Sequence, residues 1–353
     1  MESDSLKSYA SILLVYTGGT IGMIEDPETG LLRPFNFEHL VDNVPELKRF
    51  DFHIDCVQFD PPIDSSEIEP VDWAKIAKVI ADQYEEYDGF VILHGTDTMS
   101  FTASALSFML EDLNKPVIFT GSQLPIGTLR TDGKENLITA IELAAMKKNH
   151  RAVFPEVCVF FERHLMRGNR TSKINADRFN AFRSHNYPSL AIAGIQININ
   201  ASAIKTIGRY QPLRPHYSLN QNVVILKLFP GIQPQIVEQI LDLPTLKGIV
   251  LETYGSGNAP QKEWFLSSLK RAVERGVVIV NVTQCLSGTV SMERYKTGHK
   301  LQEIGVISGR DITTEAAVTK LMFLFGQGYN AEQVARKMND SIAGEISVAA
   351  VVD

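Results

Sequence analysis

Residues 13–22 read LLVYTGGTIG. An apolar, β-rich run stops abruptly in a turn that holds two threonines and three glycines. A buried strand needs no such ending, so the turn either cradles an anion or presents a hydroxyl with a chemical task. The run SILLVY (11–16) is also the first of a series: FVIL (90–93), PVIFT (116–120) and EVCVFF (156–161) follow. Helical patterns lie between them at 71–87, 98–113 and 135–148, with Pro116 as a stop signal. This βαβ rhythm predicts a largely parallel sheet covered by helices. The rhythm weakens near residue 200, and IGRYQPLRPHYSLNQN (207–222) reads as a linker. It restarts with VVILKLF (223–229), QIVEQILDL (235–243), GIVLETY (248–254), KEWFLSSLKRAVERG (262–276) and VVIVNVT (277–283), and two helices close the chain around 313–327 and 331–339. Two α/β domains are the simplest account.

Bulk composition narrows the function. The chain has 353 residues, 44% of them hydrophobic, and a formal charge of −7 from 34 basic and 41 acidic residues. No run of five like charges occurs, which disfavours nucleic acid or an anionic membrane as the main partner. No apolar stretch is long enough to span a bilayer. MESDSLKSYASILLVY lacks a basic n-region and a small-residue cleavage site, so its apolar run reads as a first strand. Cys56, Cys158 and Cys285 are far apart, odd in number and outside any CxxC, which fits a reducing cytoplasm. The eight histidines show no HExxH-like spacing, so neither a metal nor another cofactor is expected.

Ligands of open parallel sheets bind beyond the carboxyl ends of the strands. Thr17–Gly22 follows the first strand, His94–Thr98 the second and Gly121–Gln123 the third, while Arg167–Lys173 lies shortly after the fourth. Four strand ends therefore deliver Thr, Ser, Asp and Lys to one edge. TGGTIG lacks the GxGxxG spacing of a dinucleotide turn, and GTLRTDGKE (127–135) misses the phosphate-loop pattern by one residue and by Glu135. A threonine attacks poorly unless a neighbour takes its proton. The groups on offer are Thr20, Thr96, Asp97 and Lys173, with flanking glycines that let backbone N–H groups approach an oxyanion. From the residues alone a second reading stays open: TGG merely ends a strand, and HGTDT caps a helix.

The set TGGTIG, DSSE (64–67), VILHGTDTM (91–99), TGSQLP (120–125), RGNRTSK (167–173), YGSGNAPQ (254–261), TQCLSG (283–288) and SGRDITTEAAVTKL (308–321) resembles the bacterial-type L-asparaginases, in particular the cytoplasmic type I branch. The motifs keep family order along nearly the whole chain. The resemblance implies an α/β fold with a larger N-terminal domain (1–206), whose mainly parallel sheet is flanked by helices and which carries the catalytic residues. A linker (207–222) and a smaller Rossmann-like C-terminal domain (223–353) would follow. It implies hydrolysis of the side-chain amide of L-asparagine through a Thr20 acyl-enzyme, with Thr96, Asp97 and Lys173 as a second triad. Asp64, Ser65 and Ser66 would hold the amino-acid end of the substrate together with Thr96 and Asp97, and the enzyme would be a homotetramer built as a dimer of dimers, with Asn258 reaching across an interface.

A plainer reading of residues 64–69 is that they cap the helix starting near Pro70. Two departures from the family pattern stand out. Leu31 occupies the position of a loop tyrosine, and Tyr295 in MERYKTG is the replacement, its plain reading being a partly buried interface residue. Glu252 replaces an arginine of a regulatory asparagine site that also uses Thr283 and Cys285; a carboxylate cannot clamp a substrate carboxylate, so weak or altered activation is expected. Cys285 reads as a buried small apolar residue rather than a reactive thiol. The alternatives are a glutaminase–asparaginase of mixed specificity, the glutaminase-like subunit of a tRNA amidotransferase, for which the early motif leaves no N-terminal domain, and a non-catalytic amino-acid-binding module.

Overall fold

The computed structural model describes residues 10–25, 29, 32–34, 44–51, 53–293 and 296–348. Contacts divide them into two units. The first gathers the described residues up to Leu106 with Leu110–Arg183 and Pro188–His216; the second gathers Ser107–Met109, Ser184–Tyr187 and the described residues from Tyr217 onward. The range 207–222 is thus shared, and Arg214–Pro215 pairs with Leu110–Glu111 inside the first unit.

An eight-stranded sheet organises the first unit. Its strands are β1 (Ser11–Tyr16), β2 (His53–Gln58), β3 (Gly89–Leu93), β4 (Val117–Thr120), β5 (Val157–Phe161), β6 (His164–Arg167), β7 (Ala191–Ala193) and β8 (Ile197–Ile199). The spatial order is β8-β7-β6-β5-β4-β3-β1-β2. The five strands from β2 to β5 pair in parallel, and β6, β7 and β8 continue antiparallel. β3, β4 and β5 are buried throughout, which is why their sequences are continuous apolar runs instead of alternating ones. Each such aliphatic side chain contributes roughly 1.5–3 kcal/mol by leaving water. β2, at the edge, is mostly exposed, and its HIDCVQ sequence carries no apolar run. The reversal into β6 is a tight turn with Glu162 at φ 58.

The helices α1 (Pro70–Asp82), α2 (Met99–Met109) and α3 (Gly133–Ala145) follow β2, β3 and β4. All are shorter than the periodic patterns suggest. α1 gives way to a turn in which Tyr84 stacks on Phe90. α2 stops because Leu110–Glu111 leaves it to pair with Arg214–Pro215, and Asp112 turns the chain at φ 62. α3 stops before a small hairpin, Lys147–Lys148 with Arg151–Ala152, turned by Asn149 and His150 at positive φ.

The second unit holds β9 (Val223–Lys227), β10 (Gly248–Thr253), β11 (Val278–Thr283) and β12 (Ile307–Ser308), parallel and in sequence order. Its helices are α4 (Pro234–Leu241), α5 (Glu263–Glu274), α6 (Lys296–Glu303), α7 (Thr314–Gly326) and α8 (Ala331–Asn339). Val237 and Leu241 of α4 and Phe265 and Leu269 of α5 share a core with Ile249, Leu251 and Ile279. Among the described residues no helix is long and apolar enough to cross a membrane.

On α7, Lys320 is fully buried, 2.6 Å from the Glu345 carboxylate, which is equally buried. Lys320 also donates to the Asp340 carbonyl at 2.6 Å, and Glu345 accepts the N–H groups of Ile342 and Ala343. Burial pulls the Lys320 pKa down and the adjacent Glu345 opposes that pull. Removing one member strands a charge, so Lys320→Met should cost about 3–5 kcal/mol in urea unfolding, and Lys320→Met combined with Glu345→Leu should cost less. A double variant less stable than the single would contradict this account of the pair.

Candidate active site

Neighbouring parallel strands bring their carboxyl ends together. β1 and β3 are in register through Tyr16 and Leu93, and Thr17 extends the ladder by donating its N–H to the Leu93 carbonyl at 3.0 Å. Beyond that point the two chains come closer still. Gly19, at φ 93, leaves so little room that a Cβ there would lie 2.5 Å from the Gly95 Cα. Gly95 in turn faces Ser65, whose Oγ would lie 2.4 Å from a Cβ on Gly95. Gly18, at φ 141, meets the Ile63 carbonyl in the same way, and Ile63 donates its N–H to Thr17 at 2.7 Å. Three loops are therefore packed backbone against backbone, with Thr20 and Thr96 each following one of the touching glycines.

Thr20 opens a single 3₁₀ turn, Thr20–Gly22, and is half-buried. Beneath it the Tyr16 hydroxyl lies 3.4 Å from the Gly19 carbonyl and 3.3 Å from that of Gly22, and burial pushes this phenol up to about 12. It stays a neutral donor to the turn. Among the described residues nothing hydrogen-bonds the Thr20 hydroxyl.

Thr96, Asp97 and Lys173 do meet. The Lys173 Nζ donates to the Thr96 Oγ1 at 2.9 Å and to the Asp97 Oδ1 at 2.7 Å. The Lys173 side chain is 19% exposed and that of Asp97 63% exposed, so the ammonium is sheltered while the carboxylate reaches solvent. Lys173 arrives through a buried 3₁₀ turn, Gly168–Arg170, and a two-residue ladder with Phe182–Arg183. Arg167, just before that turn, is anchored by a buried ion pair with Glu156 at 2.5 Å.

His94 underlies the Thr96 loop and is fully buried. Its Nδ1 lies 2.7 Å from the Gly95 carbonyl, which can only accept, so Nδ1 carries the proton. Nε2 then accepts from the Thr102 hydroxyl at 3.0 Å, and that hydroxyl accepts from the Trp73 indole N–H at 3.0 Å. The chain of donors is complete with neutral imidazole, and burial pushes the His94 pKa down to about 4.

Asp64 caps the short 3₁₀ turn Ser65–Glu67 by accepting from the Ser66 N–H and hydroxyl, both at 2.9 Å. Asp64 does not itself cap α1, but the plainer reading of residues 64–69 holds for Glu69, which is the N-cap of that helix: its side chain accepts the Asp72 N–H while Asp72 accepts the Glu69 N–H at 3.1 Å. Ser65 is buried against Gly95 and its carbonyl accepts from Thr98 at 2.6 Å, whereas Asp64 and Ser66 are exposed.

Asn258, Glu252, Thr283 and Cys285 belong to the second unit. Asn258 closes a tight turn with Tyr254 through paired backbone bonds. Glu252 accepts from the Thr314 hydroxyl at 2.7 Å and lies 3.4 Å from the Lys227 ammonium. The register pairs Glu252 with Val282 and Thr253 with Thr283, so Glu252 and Thr283 point to opposite faces of the sheet. Thr283 donates to the Gly255 carbonyl at 2.6 Å instead. Cys285 is exposed, not buried, because it sits in the turn after β11 with its N–H on the Thr283 hydroxyl. Leu31 and Tyr295 lie outside the described residues. Among the described residues no group of three or more His, Cys, Asp or Glu side chains could hold a metal ion. Sequence reasoning assigned no role to His94 or Gln123, although His94 directly follows β3 and Gln123 lies in the turn after β4.

The geometry matches known proteins along the whole chain. Residues 11–205 match the family model described as Asparaginase, N-terminal, and residues 222–338 the one described as Glutaminase/Asparaginase C-terminal domain. The chain belongs to this asparaginase/glutaminase family, with its large mainly parallel N-terminal sheet and smaller parallel C-terminal sheet. It is 44% identical to L-asparaginase 1 of Escherichia coli K12 over 96% of this chain and 98% of that one. The solved structure of L-asparaginase I from Vibrio cholerae superposes with a TM-score of 0.88 at 42% identity, covering 97% of this chain and 100% of that one. The 60 kDa lysophospholipase of Mus musculus is 39% identical over 96% of this chain, which spans 63% of that longer protein.

The neutral His94 links the site to pH. The unfolded chain takes up this proton near pH 6.5 and the folded protein only near pH 4. Its effect on stability is therefore absent above the first value and grows unfavourable as pH falls toward the second. His94→Gln should lower the melting temperature at pH 7 yet flatten its decline between pH 6.5 and 4. An unchanged slope would show that another group sets it.

Proposed function

We propose that this protein hydrolyses the side-chain amide of L-asparagine to L-aspartate and ammonia, with Thr20 as nucleophile. The observation that carries the proposal is the Lys173 ammonium bridging Thr96 and Asp97, supported by the close Gly19–Gly95 contact, from which Thr20 and Thr96 follow as the next residues. The Thr20 oxygen attacks the amide carbon, and its proton passes to a neighbouring base. The tetrahedral oxyanion collapses, the amide nitrogen takes a proton, and ammonia leaves an ester on Thr20. Water then attacks that ester, releasing aspartate and restoring the hydroxyl. Thr96 is the group placed to move the proton: its open lone pair takes the proton from Thr20 as its own proton passes to Lys173, once Lys173 has released a proton to solvent and offers a lone pair; Tyr295 is the second candidate.

One Asp97 oxygen is engaged by Lys173, which leaves the other facing solvent for the substrate ammonium. A charge-assisted bond of this kind contributes about 1.5–3 kcal/mol. Asp64, Ser65 and Ser66 complete the amino-acid end. Asn258 would come from a second protomer of a homotetramer working in the cytoplasm. Glutamine is one methylene longer, a difference worth only ~1–3 kcal/mol, so it should be turned over roughly 10- to 200-fold less efficiently.

Ammonia release from asparagine, compared between the wild type and Thr20→Ala, tests the nucleophile. A loss of about 10³-fold or more is expected, and near wild-type turnover would defeat the assignment. Running glutamine and a lysophospholipid ester in parallel separates the amidase reading from the activities that the relatives' names suggest.

Glu252, engaged by Thr314 and Lys227 and turned away from Thr283, supports a site that does not clamp asparagine carboxylate. The rate should rise hyperbolically with asparagine concentration, with a Hill coefficient near 1. A sigmoidal curve would show that activation survives the carboxylate.

A further inference from the structure

Two loops must keep a fixed distance for Lys173 to reach Thr96, and one side chain touches both. Gln123 stands three residues after β4. Its Nε2 donates to the carbonyls of Ala176 and Arg178, each at 3.0 Å. These residues belong to the segment that follows Lys173. Two carbonyls on one end of the carboxamide identify that end as nitrogen, so the oxygen must face the other way. There the Thr96 Oγ1 donates to the Gln123 Oε1 at 3.3 Å. This is the longest bond of the set, as expected of a hydroxyl that can turn once substrate is bound. Gln123 is itself held from behind, because the Asp132 carboxylate accepts its backbone N–H through both oxygens at 3.1 and 3.0 Å and also that of Leu124.

A threonine hydroxyl has one proton and two lone pairs. The Lys173 ammonium has no lone pair, so toward it Thr96 can only accept. The Thr96 proton then needs another acceptor, and Gln123 supplies it. The second lone pair of Thr96 stays open for a hydroxyl or a water.

Resting on the amidase reading above, we propose that Gln123 is a positioning residue of this site. It ties the segment 174–180 to the Thr96 loop and, before substrate binds, holds the Thr96 proton away from Lys173, so that the Thr96 oxygen faces the ammonium and is already in line for the relay when the hydroxyl turns. Asp132 is the brace that keeps Gln123 in place. Gln123 touches neither Thr20 nor Asp97 in any described contact, so its influence passes through Thr96 and the Lys173 segment.

The test compares Gln123→Leu and Gln123→Glu with the wild type, using the full-length protein and asparagine. Gln123→Leu should lower kcat about 10- to 100-fold with KM changed less than about threefold, because the substrate contacts remain while the proton path is misaligned. Ionised glutamate can only accept and should repel both carbonyls. Protonated, it again has a donor and an acceptor. The kcat of Gln123→Glu should therefore recover toward acid relative to that of Gln123→Leu, as a carboxyl of ordinary pKa of about 4.3 takes up its proton. Hydrogen exchange gives a readout independent of turnover: the amides of Ile174, Asn175 and Ala181, which bond carbonyls within 174–181, should lose protection in Gln123→Leu while those of β3 and β4 keep theirs. Unchanged kcat and unchanged exchange would overturn the role of Gln123 even if Thr20→Ala is inactive. If Thr20→Ala retains wild-type activity, the nucleophile assignment fails, while the exchange result still decides whether Gln123 anchors the segment. A uniform loss of protection would mean a general packing role and would also overturn the proposal.

Discussion

The contact between the backbones of Gly19 and Gly95 is the constraint on which the site depends. Paired parallel strands lie a little under 5 Å apart in the hydrogen-bonding direction. Residues just beyond the pairing can approach more closely only where no Cβ intervenes. Gly19 and Gly95 meet that condition, and Ser65 packs against Gly95 as well. Three chain segments therefore arrive at one point, and Thr20 and Thr96 are each the next residue along the main chain from it. Their positions depend on the sheet and its buried strands, and not on the rotamer of a long flexible side chain.

Charge is distributed around this point according to the cost of burying it. Asp97 sits at the mouth, where water solvates it, and Lys173 lies partly sheltered behind it. The group directly underneath is a histidine kept neutral, joined through Thr102 to Trp73. A charged group in that place would face the full desolvation penalty with no counter-ion. Two buried ion pairs stand elsewhere among the described residues. Arg167 with Glu156 fixes the base of the segment leading to Lys173, and also ties down Ala203 and Lys205 through their backbone atoms. Lys320 with Glu345 does the same for the closing segment of the second unit. Each pair is further satisfied by backbone groups, which is the condition for burying ions at tolerable cost.

Much of this was legible in one dimension. The central strands announce themselves because strands covered on both faces must be apolar at every position. The threonines and the aspartate after β1 and β3 follow, since ligands gather at the carboxyl ends of parallel strands. The edge strand β2 and the strands β7 and β8 did not show, because half-exposed strands lack that apolar signature; β6 is buried but short, with only Leu165 and Met166 apolar between His164 and Arg167. Helix ends were overrun wherever apolar spacing continued past the last helical residue, as with Leu110, which leaves α2 for a partner about a hundred residues away.

By itself, the sequence determined the alternating α/β class, the family, and the residue types offered at each strand end, because hydrophobic period and short motifs are local properties. Only the tertiary structure decided which offered groups meet. It joined Lys173 to Thr96 and Asp97, drew Gln123 and His94 in beneath them, and turned Glu252 away from Thr283. Such meetings depend on strand order and register, and a shift of one residue in register moves a side chain to the opposite face.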